Sequence, residues 1–311
     1  MYKVFIDGRE GTTGLRIFDR IKERDDISLI ILSEENRKDP EHRKAAINES
    51  DITILCLPDA ASVESVSMCD NEKTVIIDAS TAHRTNSDWT YGFPEIYGES
   101  GYEKIAHAKR IAVPGCHASG FIALVKPLVE NGIINADATI VCNSLTGYSG
   151  GGKKMIAQYE ADEIDELLVA PRVYGISQSH KHLKEMKHVC GLSDMPLFTP
   201  IVSSFYSGMC VTICLDKKQI IGTAEDIKKI YSELYTSQIV KYVESIDDGG
   251  FISAAAVSGR DDMLITVAGN EDRILLCALY DNLGKGASGA AVECLNLVTG
   301  KPKDYCLNLS K

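Results

Sequence analysis

No stretch of this chain approaches the ~20 consecutive apolar residues that a bilayer-spanning helix requires, so a membrane role is not expected. Positive charge is also scarce: 33 Lys and Arg stand against 44 Asp and Glu, a formal net charge of −11. Nucleic acid is therefore not an expected partner, because binding phosphates needs a basic face. The opening residues, Met1-Tyr-Lys-Val-Phe-Ile-Asp7, lack the basic and then apolar regions of a secretory signal. Ten cysteines follow no regular spacing, which reads as reduced thiols in a cytoplasmic setting. Internal repeats and low-complexity tracts are likewise missing. What is left is ordinary globular composition over 311 residues, long enough for two domains.

The first third alternates short apolar runs with helical patterns. Val4-Phe5-Ile6 is followed by Gly8-Arg-Glu-Gly11-Thr12-Thr13-Gly14 and then by apolar residues at Leu15, Ile17, Phe18 and Ile21. Strand, glycine-rich turn and helix in that order lay a pyrophosphate on a helix N-terminus. The Gly-x-x-Gly-x-x-Gly spacing alone is a weak signal, since a tight turn also uses glycine. The alternation continues with strands expected at Ile27–Leu32, Ile52–Leu57 and Val75–Asp78. Helices are expected to open at Asp39-Pro40 and at Asp59. That order implies a parallel, doubly wound sheet. After the second strand, Ser33 with Arg37 or Lys38 would suit the 2′-phosphate of NADP, while Glu34 would suit a free 2′-hydroxyl. Arg84, in the polar loop after the fourth strand, reads equally well as an anion grip or as a solvated surface residue.

The stretch Arg110-Ile-Ala-Val-Pro-Gly-Cys-His-Ala-Ser-Gly120 organises the chain. A buried strand is broken by Pro114-Gly115, and Cys116 then opens a helix carrying Phe121, Leu124, Val125 and Leu128. The first amides of a helix have no internal partner and favour an anion. A thiolate there is stabilised, and thiolate is the nucleophilic form of cysteine. Most cysteines are small core hydrophobes, and the other nine read that way. Flanking Pro and Gly set Cys116 apart.

Beyond this helix the texture changes. Strands are expected at Ala138–Leu145, Phe198–Tyr206, Met209–Leu215, Leu264–Ala268 and Arg273–Asp281, with few helices between them. This suggests a second, α+β domain with a mixed sheet. Thr146-Gly-Tyr-Ser-Gly-Gly-Gly-Lys153 reads as a second glycine-rich loop, an anion cradle or a flexible linker. His180 and His182, beside a polar loop and at the mouth of a helix, are the best proton partners for Cys116. His117 is set aside because chain neighbours rarely face one another. His180, His182, His188 and Cys190 also permit zinc, but their spacing matches no common structural zinc pattern, and no metal is expected.

Taken together, the residues resemble the N-acetyl-γ-glutamyl-phosphate reductase family in its shorter form, within the aspartate-semialdehyde and glyceraldehyde-3-phosphate dehydrogenase group. The motifs that carry the resemblance span nearly the whole chain. They are Gly8-x-x-Gly11-x-x-Gly14, Asp78-Ala-Ser-Thr-Ala-His-Arg84, Tyr91-Gly-Phe-Pro-Glu95, Pro114-Gly-Cys-His-Ala-Ser119, Gly147-Tyr-Ser-Gly-Gly-Gly-Lys153, His180-Lys-His182-x-x-Glu185, Gly208-Met-Cys-Val-Thr212 and Asp281-Asn-Leu-Gly-Lys-Gly-Ala-Ser-Gly-Ala-Ala291. The chain departs from the family at Lys184, where the long form typically has proline, and in lacking Ala-Ser in the first glycine loop. The resemblance implies a Rossmann-like nucleotide domain over 1–115, joined by the C-terminal helical region 286–311. It implies a catalytic and dimerisation domain over 116–285.

It further implies an NADP-dependent reductase of arginine biosynthesis, forming a homodimer or homotetramer, that acts on an acyl phosphate through a Cys116 thioester. The implied acid–base group is His182 or His180. Arg84, Ser149, Gly150 and Lys153 are the implied phosphate site, and Glu185 orients substrate. Gly8, Gly11, Thr12, Thr13, Gly14, Ser33, Arg37 and Asn282 are the implied cofactor contacts. Two rivals of the same chemistry act on a carrier-bound aminoadipyl phosphate or on aspartyl phosphate. A third, of another class, is a non-catalytic nucleotide-binding regulator.

Overall fold

Six short apolar runs in the first third pair into one parallel sheet. In the computed structural model, which describes residues 1–310, they are β1 (Tyr2–Asp7), β2 (Ile27–Ile30), β3 (Ile52–Leu55), β4 (Val75–Asp78), β5 (Thr90–Tyr91) and β6 (Arg110–Ala112). The spatial order is β2-β1-β3-β4-β6-β5, parallel throughout. All four residues of β3 are buried, as expected for a strand covered on both faces. The connecting helices are α1 (Thr12–Ile21), α2 (Pro40–Glu49), α3 (Asp59–Ser67) and α4 (Glu99–Ala106). Asp39 caps α2, its carboxylate accepting from the His42 N–H, with Pro40 at the first helical position.

The second unit begins with α5 (Cys116–Glu130). It continues through β7 (Val141–Gly147), α6 (Gly152–Tyr159), β8 (Arg172–Val173), α7 (His182–Cys190), β9 (Leu197–Ser203) and β10 (Met209–Asp216). Then follow α8 (Ala224–Leu234), β11 (Val240–Tyr242), β12 (Met263–Gly269) and β13 (Arg273–Tyr280). Its sheet runs β11-β12-β13-β10-β7-β9-β8 and is mixed. Helix α5 is buried from His117 to Leu128 and packs on β10, β13, α7 and α8. An all-round apolar helix belongs in a core. The last helix, α9 (Gly289–Val298), returns to the first unit, where its apolar residues join the core under β1, β3 and β6.

The first unit comprises residues 1–94, 99–115 and 287–307. The second comprises residues 95–98, 116–286 and the tail from Asn308. Three points differ from the sequence-based division: Glu95–Gly98 goes with the second unit, and so do Gly286 and the tail. Glu95 is drawn there by a buried ion pair, in which Lys285 Nζ donates to its two oxygens at 2.8 and 2.9 Å. The expected glycine-rich loop at 146–153 is also not a loop. Gly152 takes φ 72°, and the helix-favouring Lys153 to Tyr159 that follow form α6.

In the first unit Asp7 is 3% exposed and accepts from Arg43 Nη2 at 3.0 Å and Ser65 Oγ at 2.9 Å. Removing one partner of a buried ion pair strands the other charge. Arg43→Ala should therefore lower stability by about 3 kcal/mol, read from the urea midpoint. An unchanged midpoint would contradict this account.

Candidate active site

Cys116 is the first residue of α5, and Pro114 and Gly115 before it are buried. The cysteine itself is half-buried, at the positive end of the helix where amides lack internal partners. Backbone packs closely against it, since a Cβ on Gly286 would lie 3.1 Å from the Cys116 Cβ.

Three imidazoles gather in the same unit. The His180 and His182 rings lie 4.7 Å apart, and the His117 ring lies 5.6 and 5.8 Å from them. Phe198 sits edge-on to both His117 and His180, at 5.3 Å from each. His180 Nδ1 accepts from the His182 N–H at 3.2 Å, so it holds the start of α7 and leaves Nε2 as its proton-bearing nitrogen. Burial, with Lys181 adding to it, lowers the His180 pKa. His182 and Glu185 are both buried. They stand three residues apart on α7, which places them on one face.

His117 is fully engaged. Its Nδ1 is 2.7 Å from Ser144 Oγ and its Nε2 is 2.5 Å from the Tyr174 hydroxyl. Burial above all, with His180 adding to it, pushes its pKa down to about 3, so the ring is neutral. Burial, and secondarily Cys116, raises the Tyr174 pKa, which keeps the phenol protonated.

The other expected residues are placed as follows. Ser149 is buried and accepts from Asn282 Nδ2 at 3.0 Å, while the Asn282 side-chain oxygen accepts from the Gly208 N–H at 2.9 Å. Asn282 thus spends both ends of its amide inside the second unit, tying two turns together. Gly150 and Lys153 are exposed, Lys153 on the first turn of α6.

In the first unit, Gly8 takes φ 83°, and a Cβ there would meet the Cys56 carbonyl oxygen at 2.4 Å. A Cβ on Gly14 would meet the Gly8 carbonyl oxygen at 2.5 Å. Gly11 is the N-cap of α1, where no side chain caps the turn, and Thr12 and Thr13 are the first helical residues. Ser33 is exposed, and Arg37 turns back onto Glu34 in an ion pair. Arg84 is buried and donates from Nε to the Val113 carbonyl at 2.8 Å and from Nη2 to the Ala79 carbonyl at 2.9 Å. It is therefore a brace on two strand ends, which corrects the reading of a solvated residue and weakens that of an anion grip.

Residues 3–103 match the family described as semialdehyde dehydrogenase, NAD binding domain, and residues 116–282 match its dimerisation domain. An N-acetyl-gamma-glutamyl-phosphate reductase 2 of Nostoc sp. is 41% identical, covering 98% of this chain and 99% of that protein. The Brucella ovis N-acetyl-gamma-glutamyl-phosphate reductase is also 41% identical, covering 96% and 99%. The chain belongs to this family of reductases. Among solved structures, aspartate semialdehyde dehydrogenase II of Vibrio cholerae superimposes with a TM-score of 0.71 at 17% identity, over 96% of this chain and 98% of that one. The Candida albicans aspartate semialdehyde dehydrogenase with NADP gives 0.63 at 14%, over 96% and 98%. At these identities the two structures establish the fold.

Against the reductase motifs, sequence reasoning missed His117, Tyr174 and Ser144. As a chain neighbour of Cys116, His117 is not expected from sequence to join the site. On the first turn of α5 it points to the α7 side and joins the other two rings. No spacing rule reveals this, because Ser144 and Tyr174 come from distant elements.

The His117 shift makes a pH prediction. Between the ordinary value of 6.5 and about 3, the unfolded chain binds a proton that the folded chain refuses. Stability should then fall as pH falls through this window, by about 1.4 kcal/mol per pH unit from this group, with His180 acting in the same direction. His117→Gln should give a shallower slope of urea midpoint against pH. Parallel slopes for the two proteins would refute a neutral His117.

Proposed function

We propose that the protein is an NADP-dependent reductase converting N-acetyl-L-glutamyl 5-phosphate to N-acetyl-L-glutamate 5-semialdehyde and phosphate, a step of arginine biosynthesis. The observation that carries this reading is Cys116 at the open amino end of α5, in the unit that also holds three buried or half-buried imidazoles. The 41% identity to reductases of this name over nearly the full chain supports the choice of substrate over its same-chemistry rivals.

Cys116 attacks the acyl carbonyl as thiolate, the first-turn amides of α5 steady the developing oxyanion, and phosphate leaves with the electrons of the broken C–O bond. The product is a thioester on Cys116. The nucleotide, when bound, supplies the two-electron reductant. Collapse of the reduced adduct returns the pair of electrons to the Cys116 sulfur, and the imidazole of His182 or His180 moves the proton. Glu185, buried one turn along α7 from His182, orients substrate. Ser149 and the Gly150–Lys153 turn serve the leaving phosphate, with the exposed Lys153 supplying the positive charge. Arg84 contributes by holding the strand end at Val113, which leads towards Cys116.

The glycine turn fits a dinucleotide pyrophosphate, because Gly8 and Gly14 leave only backbone at positions a Cβ would fill. Gly11, Thr12 and Thr13 bring the first amides of α1 to the same place. NADP is favoured over NAD because Glu34 is paired with Arg37, and an incoming 2′-phosphate takes over that guanidinium beside Ser33. A reducing, cytoplasmic setting suits a cysteine that must remain a thiol.

Self-association follows from the second sheet. Leu197 pairs with Val141 across β9 and β7, and on the neighbouring strands Cys214, Leu275 and Ala268 stand in register across β10, β13 and β12. Leu197 is 52% and Val141 41% exposed. A continuous apolar row of this kind is the face on which a second copy packs.

Cys116→Ala should abolish phosphate-dependent oxidation of N-acetylglutamate semialdehyde yet still bind NADP, measured by turnover and by titration calorimetry. Turnover in that variant would end the proposed mechanism. Assays of the parent protein with the aspartate and carrier-bound aminoadipate semialdehydes, and with NAD in place of NADP, decide substrate and cofactor. Val141→Glu should shift the protein towards monomer in sedimentation velocity. An unaltered assembly would move the interface elsewhere.

A further inference from the structure

Tyr280 ends β13, and its hydroxyl stands between two backbone groups in the first turn of α5. It donates to the Cys116 carbonyl at 2.5 Å and accepts from the Gly120 N–H at 3.0 Å. In an unbroken helix the Gly120 N–H would bond the Cys116 carbonyl directly, four residues back. Here the phenol of Tyr280 bonds both groups of that link as well, tying the first turn of α5 to the end of β13.

Three features make this bridge rigid. The ring is 0% exposed, and burial, with Cys116 adding to it, raises the phenol pKa well above its ordinary value, so the donor proton stays in place. Position 120 admits the hydroxyl only as glycine, since a Cβ there would sit 2.7 Å from it. The strand end is pinned by Asp281, which accepts from Ser207 Oγ at 2.7 Å and from the Leu283 N–H at 2.7 Å.

We propose that Tyr280 is a positioning residue: its bridging hydroxyl sets the Cys116 backbone, and with it the sulfur, against the open amides at the start of α5. The proposal rests on the reading of Cys116 as nucleophile. Without the hydroxyl, the Gly120 N–H and the Cys116 carbonyl lose their shared tie to β13, and the first turn of α5 is free to shift. The sulfur then moves relative to the amides that stabilise its anion.

Tyr280→Phe keeps the ring and leaves the two backbone groups able to pair, so the fold is retained. Its kcat should fall about tenfold to a hundredfold, with the KM for NADP unchanged. The pH midpoint of iodoacetamide alkylation at Cys116, read against Cys116→Ala as blank, should rise by about half a unit or more. Gly120→Ala, which displaces the hydroxyl by another route, should shift the midpoint in the same direction. A merely structural role would lower the melting temperature and leave that midpoint where it was. Tyr280→Phe with the parent midpoint and kcat would overturn the proposal, while an inactive Cys116→Ala left the nucleophile reading intact. An active Cys116→Ala would remove both.

Discussion

The second unit is built around the immobility of one helix end. Helix α5 is buried from His117 to Leu128, so the place of its first turn is set by packing on every side and not by the helix alone. A cysteine at that end meets two opposing demands. The amides and the helix dipole favour its anion, while burial of the surroundings penalises any charge. Half-burial is the compromise: Cys116 is open enough to meet a substrate, and every residue from His117 to Leu128 beyond it is covered.

The same desolvation sorts the polar groups around it. His117 and Tyr174 are buried or half-buried and bonded to each other, and their shifted pKa values keep one neutral and the other protonated. Neither carries charge that would compete with a thiolate or an acyl phosphate. His182, the first residue of α7, and His180 just before that helix stand next to this neutral pair.

A recurrent device holds the turns that leave three of the strands. Each is anchored by an aspartate at the carboxyl end of a strand, its oxygens taken up by neighbouring helices and loops. Asp7 takes Arg43 and Ser65. Asp78 takes Ser62, Ser80 and His83, and His83 in turn stacks on Trp89 at 4.0 Å. Asp281 takes Ser207, Leu283 and the Gly259 amide. Buried carboxylates are costly unless fully bonded, so each network tolerates little displacement of its loop.

Much of this was legible in the order of the residues. The alternation of apolar runs, the Asp39-Pro40 helix start, and the opening of a helix at Cys116 are local patterns, and local patterns report dihedral preference and the buried face. Family motifs added the chemistry. Tertiary structure alone decided what the polar side chains do. Arg84 donates to two strand-end carbonyls, and Asn282 ties Ser149 to Gly208, contacts that no local pattern announces. His117 was dismissed as a neighbour in sequence, and Tyr280 carried no signal at all. Those assignments depend on partners up to 164 residues away along the chain. A hydrogen bond forms only where donor and acceptor meet at the right distance and angle, and spacing along the chain does not encode that meeting.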